Sequence, residues 1–386
     1  LRTYEADTKL WPVSQGDGVV VAVVDSGVNQ DHQDLRGQVL PGVDFSGAKT
    51  DGRVDEQGHG TGIASLIAGH GHDGQAGVMG LAPKAKILPV RIRWNDRGQD
   101  LQQSDVALAV QYAAGHGAKV INLSLGGISR FDSQARAAIM DAIAKDIVVV
   151  ASTGNDGDGG EAVEYPAAFP GVVAVGAVNE RATLWERSTY GPETTITASG
   201  VGVYQATAKS ASSYGVGNGT SAATAYVSAT AALIRAKYPS LSAGQVINRM
   251  IKSAAAPGDG SAVPSDRYGY GVLAPGKALE VNPAVDGGPR ENPLVGRVES
   301  RGGVPTGAGS GPPSEEVWES PVAAPPVAVG GNRGVRWVLV AAAGVAGVVL
   351  VGGVAVALVL RGRRRRAAAA YQGYPPPQQQ WPPYQG

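Results

Sequence analysis

The chain has 386 residues, long for one average domain, with 56 glycines and only 17% charged residues. Lys+Arg and Asp+Glu balance at 33 each, so no net charge points to nucleic acid as a partner. It contains no cysteine, which excludes disulfides, thiolate metal sites and a cysteine nucleophile.

Along the chain, residues 18–25 (GVVVAVVD) read as a buried strand, and 85–91, 119–125, 147–152 and 172–178 as further strands. Such continuous Val/Ile runs suit a parallel sheet covered on both faces. Helices are predicted between and after them, over 60–68, 103–114, 133–145, 221–237 and 242–254. The alternation gives an α/β fold for residues 1–283. From 284 to 334 the composition turns to Pro, Gly, Val and Ser, as in a linker. Residues 337–360 (WVLVAAAGVAGVVLVGGVAVALVL) carry no charge. About 20 apolar residues cross a bilayer, so a transmembrane helix over 335–360 is expected rather than a long core helix. An arginine cluster follows at Arg361 and 363–366, and basic residues beside a span stay on the cytoplasmic side. The tail 361–386, basic and then Pro/Gln-rich, is therefore expected inside, as disordered low complexity or a Pro-rich docking motif, and the large N-terminal part outside. That orientation requires an export signal upstream of Leu1, removed as a signal peptide; the encoded precursor should show it.

Four side chains stand in settings that suit acyl transfer by a serine hydroxyl, which needs a nucleophile, an imidazole base, an orienting carboxylate and oxyanion donors. Asp25 ends the first predicted strand, where α/β sheets place functional groups; a plain turn residue is the alternative. His59 lies in QGHGTG at a helix start, with glycines that let backbone and substrate approach, although a histidine in a Gly-rich turn is often structural. Ser221, in GNGTSAA, opens a helix of small residues and reads equally as an N-terminal cap. Asn155 follows the strand ending in AST, and Gly-Asn there is also ordinary turn chemistry. His32, His70, His72 and His116 lack such settings, and His70 and His72, with no third ligand pattern nearby, read as loop residues. The acidic cluster Asp156, Asp158, Glu161 and Glu164 is either a solvated loop or a source of preference for basic substrates.

Together, VAVVDSGV, GHGTGIASLIAG, INLSLGG, VVVASTGND and GNGTSAA resemble, in order, the signature of the subtilisin-like serine proteases (subtilases). The resemblance spans about residues 8–281. It implies a subtilisin-like three-layer α/β fold with a mostly parallel central sheet. It implies peptide hydrolysis of protein or peptide substrates, with Asp25 orienting His59, His59 as general base and acid, and Ser221 as nucleophile. Asn155 and the Ser221 N–H would hold the oxyanion. Ser124, Leu125 and Gly126 would pair with the extended substrate backbone, and Ser152, Thr153 and Gly154 would form the opposite wall of the first specificity pocket.

Three departures stand out. Ala225 replaces the proline usual four residues after the nucleophile, and Ala198-Ser199-Gly200 stands where Ala-Pro-Gly is common. HGHDGQAGVMG is similar to the family's main calcium loop, but Gly74 replaces an expected side-chain ligand, and Asp34 alone falls short of the six to eight oxygens calcium takes. No metal and no cofactor is therefore expected. An exported protease with a Pro/Gly linker, one C-terminal span and a basic inner end resembles the mycosins, which are associated with type VII secretion, although mycosins commonly carry disulfides and an N-terminal extension. The resemblance implies either proteolysis at the outer face of the cell membrane or a mainly structural role, stabilising a membrane secretion complex.

Overall fold

In the computed structural model the described residues are 2–72, 76–93, 105–157 and 162–297. The expected span at 337–360, its flanks, and Asp158 and Glu161 lie outside them. Among the described residues no helix is long and apolar enough to cross a membrane.

The run VVAVVD forms β1 (Val20–Asp25), whose last five residues are buried. Along the chain follow β2 (Val43–Asp44), α1 (His59–Ala68), β3 (His70–His72), β4 (Ala76–Met79), β5 (Lys86–Arg91), α2 (Asp105–Gly115), β6 (Val120–Leu123), α3 (Ser133–Ala144) and β7 (Val148–Ser152). Next come β8 (Val173–Val178), β9 (Thr194–Ser199), β10 (Val203–Ala206), β11 (Tyr214–Gly217), α4 (Thr220–Lys237), α5 (Ala243–Ser253), α6 (Pro275–Leu279) and α7 (Pro283–Asp286). Among the described residues, a seven-stranded sheet runs in the order β2-β5-β1-β6-β7-β8-β9, every pair parallel.

The period of two along each strand divides the core into two layers. Val21 and Val23 of β1 face the side covered by α1, α4 and α5, with Ile63, Leu66, Val227 and Leu233. Ala22 and Val24 face the side covered by α2 and α3, with Val106, Val110, Ala138 and Ile139. Helices on both faces explain why these strands carry no polar alternation.

Packing does not stop at residue 283, where the composition shift suggested a boundary. The guanidinium of Arg249, on α5, bridges both carboxylate oxygens of Asp286 at 2.6 Å and donates to the carbonyls of Ala278 (2.7 Å) and Glu280 (2.6 Å). Asn292 donates to Gly171 O at 2.7 Å.

His70 and His72 are not loop residues: they form β3, which pairs antiparallel with β4. The ring Nδ1 of His72 lies 2.7 Å from Asp34 Oδ1. Asp34 is fully buried and also accepts from Val78 N (2.7 Å) and from the Tyr214 hydroxyl (2.9 Å). Burial, together with the charge and hydrogen bond of Asp34, pushes Tyr214 up to about 12, which keeps its hydroxyl a donor. Three of the acceptor positions of this carboxylate are thus taken by groups of the chain itself. Residues 73–75, including Gly74, lie outside the described residues.

Candidate active site

Three adjacent parallel strands, β1, β6 and β7, deliver their carboxyl ends to one edge of the sheet. Asp25 ends β1, Ser124–Gly126 follow β6, and Ser152 ends β7 with Thr153, Gly154 and Asn155 behind it. Two helices on one face start at the same edge: α1 begins at His59, and Ser221 lies in the first turn of α4. α1 and α4 pack against each other.

The Nδ1 of His59 lies 2.8 Å from Asp25 Oδ1 and 2.9 Å from Oδ2. Asp25 is fully buried, and the His59 side chain is 30% exposed. Oδ1 of Asp25 also accepts from Ser26 N at 2.7 Å. A buried carboxylate accepts only, so Nδ1 carries the hydrogen and proton transfer falls to Nε2. Burial opposes protonation of His59, but the charge and hydrogen bond of Asp25, with the charge of Asp55, outweigh it and raise the imidazole above its ordinary value.

The sequence reading did not include Asp55. Its Oδ1 accepts from Ser26 Oγ (2.9 Å), Gln57 N (3.0 Å) and Gly58 N (2.8 Å), and its Oδ2 from Thr61 N (2.9 Å) and Thr61 Oγ1 (2.6 Å). It therefore satisfies donors at the start of α1 and fixes the turn that presents His59. An acidic residue just ahead of a predicted helix start is the signal that marks it. Two glycines complete the turn: Gly58 has φ +91°, and a Cβ on Gly60 would overlap Gly27 O and meet the Asp25 Cβ at 3.0 Å.

On the other side, Asn155 Oδ1 accepts from Thr220 N (2.9 Å) and Thr220 Oγ1 (3.0 Å). Held by its oxygen, the carboxamide keeps Nδ2 as its donor end, beside the first turn of α4. The Ser221 N–H belongs to the four donors that a helix leaves without an intrahelical partner. Ser221 is half-buried, and its Oγ donates to Ser124 O at 3.3 Å, while Ser124 Oγ donates to Ser221 O at 3.1 Å. A buried relay from Ser228 Oγ to Asn122 Oδ1 and from Asn122 Nδ2 to Ser124 Oγ, each 2.9 Å, ties α4 to β6.

The two expected pocket walls are joined, with Ser152 Oγ donating to Leu125 O at 3.3 Å. Of the acidic cluster, Asp156 lies on the surface, 3.5 Å from Arg187. Glu164 instead lies against Gly126 and Gly154. Ala225, at the position usual for proline, is buried within α4.

The arrangement has known parallels. The subtilase family model matches residues 16–271. Subtilisin DY of Bacillus licheniformis is 36% identical over 261 residues, which is 67% of this chain and 90% of that protein. The solved structure of the MycP3 protease from the type VII (ESX-3) secretion system matches with a TM-score of 0.63 at 31% identity, over 73% of this chain and 87% of that one. MycP1 from Mycobacterium smegmatis matches with a TM-score of 0.61 at 29% identity, over 76% and 86%. The chain belongs to the subtilase family and is a subtilisin-like serine endopeptidase.

Proposed function

We propose that the chain is a membrane-anchored endopeptidase of mycosin type that cleaves exported proteins through Asp25, His59 and Ser221. The observation that carries this reading is the His59 Nδ1–Asp25 pair at 2.8 Å, together with Asn155 bound to Thr220, the neighbour of Ser221 in the first turn of α4. His59 Nε2 removes the proton from Ser221 Oγ as that oxygen attacks the peptide carbonyl carbon. The oxyanion is met by Asn155 Nδ2 and the Ser221 N–H, at the positive end of the α4 dipole. His59 then passes its proton to the leaving amine, the peptide C–N bond breaks and an acyl-enzyme remains. Water, deprotonated by His59, releases the second product.

Likeness to the MycP3 and MycP1 proteases supports a place in a type VII secretion system. The uncharged run 337–360 and the arginines after it support a single span with the protease outside and the tail in the cytoplasm. A fluorophosphonate probe should label the wild type and not Ser221→Ala; equal labelling of both removes Ser221 as nucleophile. A chain ending at residue 334 should leave the membrane fraction on alkaline extraction, while the full chain stays; loss of both from that fraction rejects the anchor.

A further inference from the structure

The two walls of the expected specificity pocket converge on one ionisable side chain. A Cβ on Gly126 would overlap Oε2 of Glu164, and a Cβ on Gly154 would lie 2.6 Å from Oε1. The carboxylate therefore fills the space that side chains at both glycines would take, between the segment after β6 and the segment after β7. Its backbone is pinned there: Glu164 N donates to Thr153 O, and Ala168 N donates to Glu164 O, both at 3.0 Å. Around it the walls are buried and small or uncharged: Ser124, Leu125, Ser152 and Thr153 are each at most 4% exposed. Glu164 itself is half-buried and so can meet a substrate side chain.

We propose that Glu164 makes the enzyme select lysine or arginine as the residue whose carbonyl is cleaved. This rests on the reading that residues 124–126 and 152–154 hold the acyl-side residue of the substrate. A side chain entering between these walls runs toward the carboxylate. An ammonium or guanidinium there adds a charge-assisted hydrogen bond, an apolar end adds none, and a carboxylate is repelled. Two glycines, at 126 and 154, are what lets one carboxylate sit against both walls.

The test is hydrolysis of a peptide series, matched except for Arg, Lys, Met, Ala or Glu at the acyl-side position, by wild type and Glu164→Gln, with fluorophosphonate labelling of both. In the wild type, kcat/KM for Arg and Lys should exceed that for Met by about 10- to 100-fold, the range of a hydrogen bond to a charged group. Cleavage after Glu should be undetectable. In Glu164→Gln the Lys-over-Met ratio should fall to within about threefold of unity while labelling and cleavage after Met persist. Labelled enzyme that prefers Ala overturns the proposal, because the side chain then acts as a plug. Labelled enzyme with no preference, or a preference that survives Glu164→Gln, overturns it too. If the variant does not fold, the wild-type profile decides alone. Absence of labelling in the wild type rejects the protease reading itself, a different result from labelling without basic preference.

Discussion

Replacing Asp25 by Asn keeps the volume of the side chain and removes its charge. The carboxylate is fully buried, with both oxygens within 2.9 Å of His59 Nδ1. Two unit charges about 4 Å apart at an effective dielectric of about 20 attract by roughly 4 kcal/mol. The developing imidazolium loses that attraction, which is roughly a thousandfold in rate. The amide NH2 can also donate to Nδ1, which moves the ring hydrogen to Nε2 and leaves no base for Ser221, the proposed nucleophile; with that tautomer the loss approaches about 10⁴-fold. The pH profile should move as well. His59 must be neutral to act, and its pKa is raised, so the rising limb of kcat/KM in the wild type lies above the ordinary imidazole value. Without Asp25 its main support is gone and burial, which disfavours the cation, remains, so the limb shifts to lower pH. The assay is anilide hydrolysis across pH 5–10 for both proteins. Activity of Asp25→Asn within tenfold of the wild type, or a limb that stays in place, refutes the reasoning.

Thr220→Val removes one of the two bonds that hold Asn155, leaving the backbone N–H. Its kcat should fall about 5- to 10-fold with KM unchanged, and Thr220→Ser should restore it; an equal rise in KM argues for a general loosening. Arg249→Met strands Asp286, which keeps some solvent access, so the loss should be near the low end for a broken buried pair, about 3 kcal/mol. Calorimetry should show Tm lower by roughly 6–12 °C for a domain of this size. His72→Ala takes one donor from the buried Asp34 carboxylate and should cost about 2 kcal/mol in urea unfolding. Chelator should change neither Tm nor peptide hydrolysis of the wild type, and a drop in either would show a required cation.

The central sheet was legible wherever β-branched apolar residues run together, as in β1, β5, β6, β7 and β8. β9 was not, because TTITAS looks polar. Its threonines are buried and satisfied by other segments: Thr195 Oγ1 accepts from Ala174 N at 3.1 Å and Thr197 Oγ1 donates to Gly271 O at 3.1 Å. β2, of two residues, and the hairpins β3–β4 and β10–β11 are too short for a period to register. Helix limits fell close to expectation, the start of the helix expected at 103 lying outside the described residues, and α5 begins after Ser242 with Gln245 completing a reciprocal cap. At the candidate site, Asp25, His59, Asn155 and Ser221 were singled out through their Gly-rich motifs. Asp55 and Thr220 were not singled out, because each acts through bonds to a neighbouring motif. Glu164 was visible only as one charge in a run; what sets it apart is contact with residues 38 and 10 positions earlier, at 126 and 154.

The cluster at Asp34 bears on how the domain holds itself together. A bound ion adds stability in proportion to the logarithm of its free concentration, so a domain held by an ion weakens on dilution. Here the donors to Asp34 come from His72, Val78 and Tyr214, segments of the same chain. Their effective concentration is set by the fold and does not vary with the medium. The contribution of this junction is thus set by the folding of the chain itself, since the partners of Asp34 form and are lost together with the domain.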